Sequence, residues 1–278
     1  MSESAAREST TPPPDFADAI GRVRLGRLAS RILFYPTIGS TNDVAAALAN
    51  HEGDVEGVVV SADEQTAGRG RRGHVWHSPP GSGLYVSVIL EPGAARVDPD
   101  RATMLVTLMA GVALVEGILA ATGLQPDLKW PNDLVVGRRK LAGILSEGVG
   151  ASIAGGRVST VVVGYGINIA QTAYPPEVAA RATSLESELG RSIDRAIVFA
   201  QTLASLASRY DDLLAGRFDA ILEAWRRRAP AAVGARVTWT SPAGPQSGVT
   251  AGIDDRGALL VRIGGRIERI VAGEIVWL

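Results

Sequence analysis

The chain has 278 residues, 46% hydrophobic and 21% charged, an ordinary globular balance that predicts a sizeable core and room for one large domain and one small one. A formal net charge of −1 excludes bulk attraction to nucleic acid or anionic lipid, so any cation-dependent function must rest on a local cluster such as Arg69, Arg71 and Arg72. The sequence contains no cysteine, which excludes disulfides, thiolate zinc sites and cysteine nucleophiles and fits a cytoplasmic location.

Residues 1–14, MSESAARESTTPPP, read as a disordered tail, too polar for a signal peptide. No later segment reaches the ~18 uninterrupted apolar residues of a membrane span. Helical spacing of Phe16, Ile20, Val23 and Leu28 predicts a helix over 16–28, followed by a short strand from Arg31 to Tyr35. The turn Gly39-Ser40-Thr41 opens a helix over NDVAAALAN, with Ser40 or Thr41 as N-cap and Asp43 in the first turn. Strands follow at 57–62 and 84–90, separated by a long loop rich in glycine, arginine and proline.

Residues 101–121 are apolar nearly all round but carry Arg101, Glu116 and two glycines, which predicts a buried core helix. Strand patterns follow at 127–130, 134–136, 142–147 and 160–169, then a helical region over 195–228. Beyond Pro230 the pattern changes to short β segments at 236–240, 248–253, 258–263, 267–271 and 274–277, with turns at Pro-Ala-Gly, Asp-Asp-Arg-Gly and Gly-Gly. The organisation is therefore a tail (1–14), a large domain (15–229) and a small all-β domain (230–278).

Residues 68–73, Gly-Arg-Gly-Arg-Arg-Gly, satisfy the dinucleotide pattern GxGxxG literally. That pattern needs a helix opening within the glycines to hold pyrophosphate, whereas here Pro79-Pro80-Gly81 and another strand follow. No Gly-Lys-Ser/Thr follows either, which excludes a P-loop. Glycines that let backbone approach a ligand, interleaved with guanidinium forks, suit a carboxylate or phosphate; a solvated basic loop is the plain alternative.

The segments GSTNDVA (39–45), EQTAGRGRRGHVW (64–76), SGLYVSVIL (82–90), LKWPNDLVV (128–136), RKLAGILSE (139–147) and GYGINIA (164–170) together resemble the biotin–protein ligase family, in its order and with compatible spacing. The resemblance implies an α+β fold: a mixed sheet flanked by helices, like the catalytic domain of class II aminoacyl-tRNA synthetases, with a small C-terminal SH3-like β-barrel. It implies an enzyme that takes ATP and biotin as substrates with Mg2+, forms biotinyl-5′-AMP, and transfers biotin to a lysine of a biotin carboxyl carrier protein or domain.

By matching positions, Ser40, Thr41, Asn42 and Gln65 would meet the biotin head group, whose ureido ring offers the donors and acceptor that hydroxyls and amides answer. Simple helix capping is the alternative for Ser40–Asn42, and the two roles can coexist. Arg69, Gly70 and Arg71 would close over biotin and adenylate, with both guanidiniums neutralising the reacting anions. Trp76 would clasp the ligand, with an ordinary aromatic packed from loop to core as the alternative. Lys140 would contact the biotin carboxyl and phosphate, and Lys129, placed with it on the two strands of one hairpin turning near Gly137-Arg138, would face the same site. Asn132 and Asp133 would lie near Mg-ATP and the incoming lysine, although Asx residues are frequent in turns for local reasons. Asn168 would point toward the nucleotide, and Gly164 and Gly166 would mark a close approach or a bulge. The metal ligands stay unassigned.

Lipoate ligases and octanoyl transferases share the implied fold, but the transferases need a cysteine and the ligases lack this motif set. A biotin-responsive repressor needs a helix-turn-helix domain ahead of the catalytic one, and with thirty residues before Arg31 no DNA binding is expected. No membrane partner is expected, and a homodimer is left open because related enzymes differ in that respect.

Overall fold

The computed structural model describes residues 11–150, 159–170, 174, 176–241, 244–273 and 275–278. The tail expected over residues 1–14 lies outside it as far as residue 10, as does Glu274 of the last expected strand. Pro14 is not tail: it occupies the first turn of α1 (Pro14–Ile20), where a proline costs no hydrogen bond. The helix ends there rather than near Leu28, and the chain continues through turns to β1 (Ile32–Ile38), α2 (Thr41–His51) and β2 (Val59–Gln65). Next come β3 (Gly83–Leu90) and the 24-residue α3 (Pro99–Thr122), capped by the Asp98 carboxylate on Arg101 N and ended by Gly123 at φ 83°.

The remaining elements of the large unit are β4 (Asp127–Lys129), β5 (Asp133–Val136), β6 (Arg139–Val149), β7 (Thr160–Asn168), α4 (Pro176–Ala179), α5 (Leu185–Leu189), α6 (Arg195–Leu214) and α7 (Phe218–Arg227). The single helical region expected over 195–228 is two helices, because Gly216 adopts φ 75° and breaks the run. The strands form a seven-stranded sheet in the order β1-β2-β3-β7-β6-β5-β4, with only β1 and β2 parallel. The sheet is thus mixed, as expected.

Period-2 alternation divides β7 between two functions. Val161, Val163, Tyr165 and Ile167 enter the main core with α3 and α6, whereas Val162 joins a smaller cluster under α2 with Ala45, Val60 and Ile89. Gly164, Gly166 and Asn168 share the Val162 face. α3 is long and apolar enough by composition to cross a membrane. Here fourteen of its residues are buried in the core of this fold, as the spacing of its polar residues predicts.

The C-terminal unit comprises β8 (Val233–Ser241), β9 (Gly244–Ile253), β10 (Leu259–Ile263), β11 (Arg266–Ile270) and β12 (Val276–Trp277). They form an antiparallel sheet in the order β11-β10-β9-β8-β12. Its 254–257 turn is glycine-dependent twice over: Gly257 has φ 82°, and a Cβ there would lie 2.7 Å from Leu108 on α3. Val237, Leu259 and Val261 belong to the same continuous core as α3 and α6.

Candidate active site

The site is built on the glycine-bearing face of β6 and β7. A Cβ on Gly164 would fall 1.9 Å from Asn42 Oδ1, and one on Gly166 would fall 2.4 Å from the Trp76 ring. The glycines therefore admit two side chains to the sheet surface, and β7 pairs with β3 and β6 in continuous register through Gly164 and Gly166.

Ser40, Thr41 and Asn42, at the start of α2, are each at most 4% exposed. Ser40 holds the N-cap position without a side-chain capping bond, so the capping role expected for it is not taken up. Thr41 donates from its N and Oγ1 to Gln65 Oε1 (2.9 and 3.1 Å), and Gln65 Nε2 donates to Ser78 Oγ (3.0 Å). Ser87 Oγ lies 2.8 Å from Thr41 Oγ1 and 2.6 Å from Asn42 Oδ1, while Asn42 Nδ2 donates to Glu147 Oε2 (2.8 Å). Sequence reasoning missed Ser87 and Glu147. The available signals were a hydroxyl inside the apolar run GLYVSVIL and the acid that ends RKLAGILSE.

The arginine loop is fastened by charge. Arg69 makes a bidentate contact with Glu147 (2.9 and 2.7 Å) and reaches Asp43 Oδ1 at 2.8 Å. Arg69, expected to close over biotin and adenylate, is thus paired with two carboxylates while still lining the pocket. Arg71 Nη1 donates to Asn132 Oδ1 (3.3 Å), and Asn132 Nδ2 donates to Ile144 O (2.7 Å). Burial pulls the Arg71 guanidinium below the ordinary arginine range, with Asp133 opposing and Arg72 adding to the effect. Trp76 is held by its backbone N on Gly68 O (2.9 Å), and its Nε1 is buried without a partner among the described residues.

Lys129 and Lys140 do not sit on one hairpin. Two successive hairpins, β4–β5 and β5–β6, carry them, and Asp133 between them faces both: it pairs in register with Lys129, and its Oδ1 forms an ion pair with Lys140 Nζ at 2.6 Å. Burial lowers Lys129 below the usual lysine range, against the pull of Asp133 and with help from Lys140 and Arg138. Lys140 Nζ also stands 5.3 Å from the centroid of the Trp76 ring. Asn168 borders this cleft, but its Nδ2 is committed to Thr183 O (2.9 Å) and Lys140 O (3.4 Å). It pins the 181–183 segment, which also bonds the Lys140 backbone on both sides.

Ser40, Thr41, Asn42, Gln65, Arg69, Gly70, Arg71, Asn132 and Lys140 thus converge on one pocket, with Trp76 as its lid. Trp76 leaves about 50 Å³ free in it. Ligand pockets usually hold ~300 Å³ or more, so with Trp76 packed on Gly166 the pocket is smaller than a bound ligand needs. Beyond Trp76 lies a cation-lined cleft of about 320 Å³ bordered by Lys129, Asp133, Lys140 and Asn168. The arrangement joins a donor–acceptor pocket to a set of cations suited to two reacting anions. Among the described residues no three acidic or histidine side chains form a metal-holding group.

The family model described as "Biotin/lipoate A/B protein ligase family" matches residues 34–168, and that described as "Biotin protein ligase C terminal domain" matches 233–277. The chain is 38% identical over 250 residues to the bifunctional ligase/repressor BirA of Bacillus spizizenii, covering 89% of this chain and 74% of that protein. It is 34% identical over 245 residues to the biotin–[acetyl-CoA-carboxylase] ligase of Mycobacterium tuberculosis, covering 86% of each. Its fold is similar to the biotin protein ligase from Aquifex aeolicus in complex with biotin and ATP, with a TM-score of 0.75 and 26% identity over 90% of this chain and 99% of that one.

Proposed function

The chain belongs to the biotin/lipoate A/B protein ligase family, and from that premise we propose that it is an ATP-dependent biotin–protein ligase. The observation that carries the reading is the continuity of the Ser40–Asn42 and Gln65 pocket with the Arg71, Lys129 and Lys140 cations across Trp76. The ureido ring of biotin needs donors and acceptors at one end, and its carboxylate needs a cation at the other.

In the first step a carboxylate oxygen of biotin attacks the α-phosphorus of ATP, the bond to the β-phosphate oxygen breaks, and pyrophosphate leaves with the electron pair. Two anions must meet. Lys140 and Arg71 offset that repulsion and the charge of the five-coordinate transition state, and Lys129, which like Arg71 is destabilised as a cation by burial, gains from an arriving phosphate. Asp133 keeps Lys140 in place until then. Trp76, displaced from Gly166 by the ligand, covers the anhydride against water.

In the second step the carrier lysine amine attacks the acyl carbon, AMP leaves with the electron pair of the broken carbon–oxygen bond, and an amide forms. Asp133, a carboxylate facing this centre, takes the amine proton. Mg2+ fits as a companion of the triphosphate, since it is usually held by phosphates and one or two carboxylates rather than by an all-protein cage. Asp133 would be its protein contact, and the ion would offset phosphate charge.

The test is incubation with biotin, MgATP and a biotin carboxyl carrier domain, read by mass spectrometry. A mass gain of one biotin on one carrier lysine is expected, and its absence with folded protein overturns the reading. Lipoate in place of biotin should leave the carrier unmodified, because the ureido-matching side chains have no partner on a dithiolane.

A further inference from the structure

A second cavity beside the site has no role in the adenylation just described. A crevice of about 600 Å³ opens between the first turns of α3, the 130–132 turn, β6 and the C-terminal unit. It meets the ligand pocket at Arg71, Asn132 and Ile144, which line both. The cation cleft is bordered instead by Lys129 and Asp133, at the two ends of the 129–133 turn. A trough of about 500 Å³, lined by Lys129, Asp133, Trp130, Asn132 and Trp277, joins the two, so the pocket is reached from two ends: the Lys129–Lys140 end on the nucleotide side and the crevice at the α3 end.

Resting on the ligase reading, we propose that this crevice is the entry for the acceptor lysine and the docking site for an acidic surface of the carrier around it. Transfer needs the amine to reach the acyl carbon while AMP still occupies its own side, so attacking and leaving groups require different routes. The crevice walls suit a four-carbon stem: Met104, Trp130, Ile144 and Val271 present apolar surface along it. Met104 and Val271, at its mouth, are 51% and 73% exposed. Exposed apolar side chains bordering a deep cavity are what a protein partner covers.

Charge selects the partner. The Arg256 guanidinium lines the crevice and makes no hydrogen bond or ion pair among the described residues, whereas its neighbour Arg269 is engaged by Asp254. An unpaired guanidinium at an interface rim steers acidic side chains toward it. Deeper in, Arg71 opposes the ammonium form of a lysine and favours the free amine that attack requires.

Arg256→Glu and Met104→Glu separate this proposal from the reading beneath it, since both residues are exposed and neither contributes to the adenylation set. Two rates are measured: biotin-dependent pyrophosphate exchange without carrier, and transfer to a carrier domain over a range of carrier concentrations. The proposal expects exchange within about twofold of wild type, with the carrier KM raised ~10-fold or more in each variant. Changing an acidic residue beside the carrier lysine to lysine should restore transfer by Arg256→Glu. An unchanged carrier KM in both variants overturns the proposal, and so does a parallel fall in exchange, which would assign the crevice to the nucleotide. A wild-type protein without exchange overturns the ligase reading and this proposal with it.

Discussion

Lys140 is held by Asp133 at 2.6 Å and lies over the Trp76 ring, near the start of β6, where it is only partly buried. Lys140→Ala should therefore leave the fold intact and lower adenylate formation by ~10²–10³-fold, the usual cost of removing one electrostatic contact to a transition state. Pyrophosphate exchange measures it, and a rate near wild type would exclude Lys140 from the chemistry. Gly164 makes a different prediction. A Cβ there would enter the Asn42 amide, whose bonds to Ser87 and Glu147 hold the pocket together. Gly164→Ala should cost about 1–3 kcal/mol of stability through unsatisfied buried polar atoms, and weaken biotin binding as well. Calorimetric titration alongside chemical denaturation tests both, and a variant of unchanged stability would show that Asn42 can relocate without loss. Both predictions concern residues whose motifs were legible. What the sequence did not reveal is the wiring: Ser87 and Glu147 sit in strands read as structural, and their partners are 45 and 105 residues away at Asn42.

Trp76 is the apolar anchor of the 66–82 loop, since Val75 is 83% exposed, and beside it a charged latch holds the loop. Arg69 bridges it to β6 through Glu147 and to α2 through Asp43. Arg69→Gln should raise amide hydrogen exchange across the loop while leaving β3 and β7 protected. Equal exchange in both proteins would place the anchor elsewhere. In the C-terminal unit the 254–257 turn is organised by one carboxylate. Burial works against the Asp254 charge, yet hydrogen bonds from Ala258 N, Arg269 and Arg256 N outweigh it and hold its pKa below the ordinary aspartate value. A depressed folded pKa contributes stability that is fully present above the ordinary aspartate value and is lost as pH falls through the folded one. Asp254→Asn should therefore lower the melting temperature at neutral pH and narrow its gap to wild type in acid. A gap independent of pH would contradict this. Element types were legible from periodicity, but the split of 195–228 at Gly216 and the two hairpins around Asp133 were not. A glycine in a helical pattern marks a break only when its neighbours pack elsewhere, and a three-residue strand such as β4 has too few residues to show a period.

At the scale of the molecule, both units share one core, which argues for one cooperative transition although the chain divides into two parts by pattern. Trp130 Nε1 donates to Gly257 O (3.0 Å), Arg101 Nε donates to Asp255 O (2.8 Å), and Leu259 and Val261 lie in the same buried cluster as α3. Scanning calorimetry should give a single transition with the calorimetric and van't Hoff enthalpies equal. Two resolved transitions would mean that the C-terminal unit folds on its own account. The same contacts form the wall of the crevice beside the active site, so the position of the small unit is a matter of chemistry as well as stability.

Composition and periodicity by themselves gave a buried apolar helix and a small β unit after Pro230, while the family resemblance carried by the motifs implied the mixed sheet and the pocket set of Ser40–Asn42, Gln65, Arg71 and Lys140. The helix and the β unit are local features, since each depends on the spacing of side chains along a few turns or strands. Tertiary structure decided that Arg69 is latched by two carboxylates, that Asn168 secures the Lys140 backbone, that Trp76 fills the pocket, and that a crevice opens beside the 130–132 turn. Each of these brings together segments far apart along the chain, and which distant charge or cavity wall meets a given side chain follows from how the sheet and helices stack rather than from any pattern along the chain.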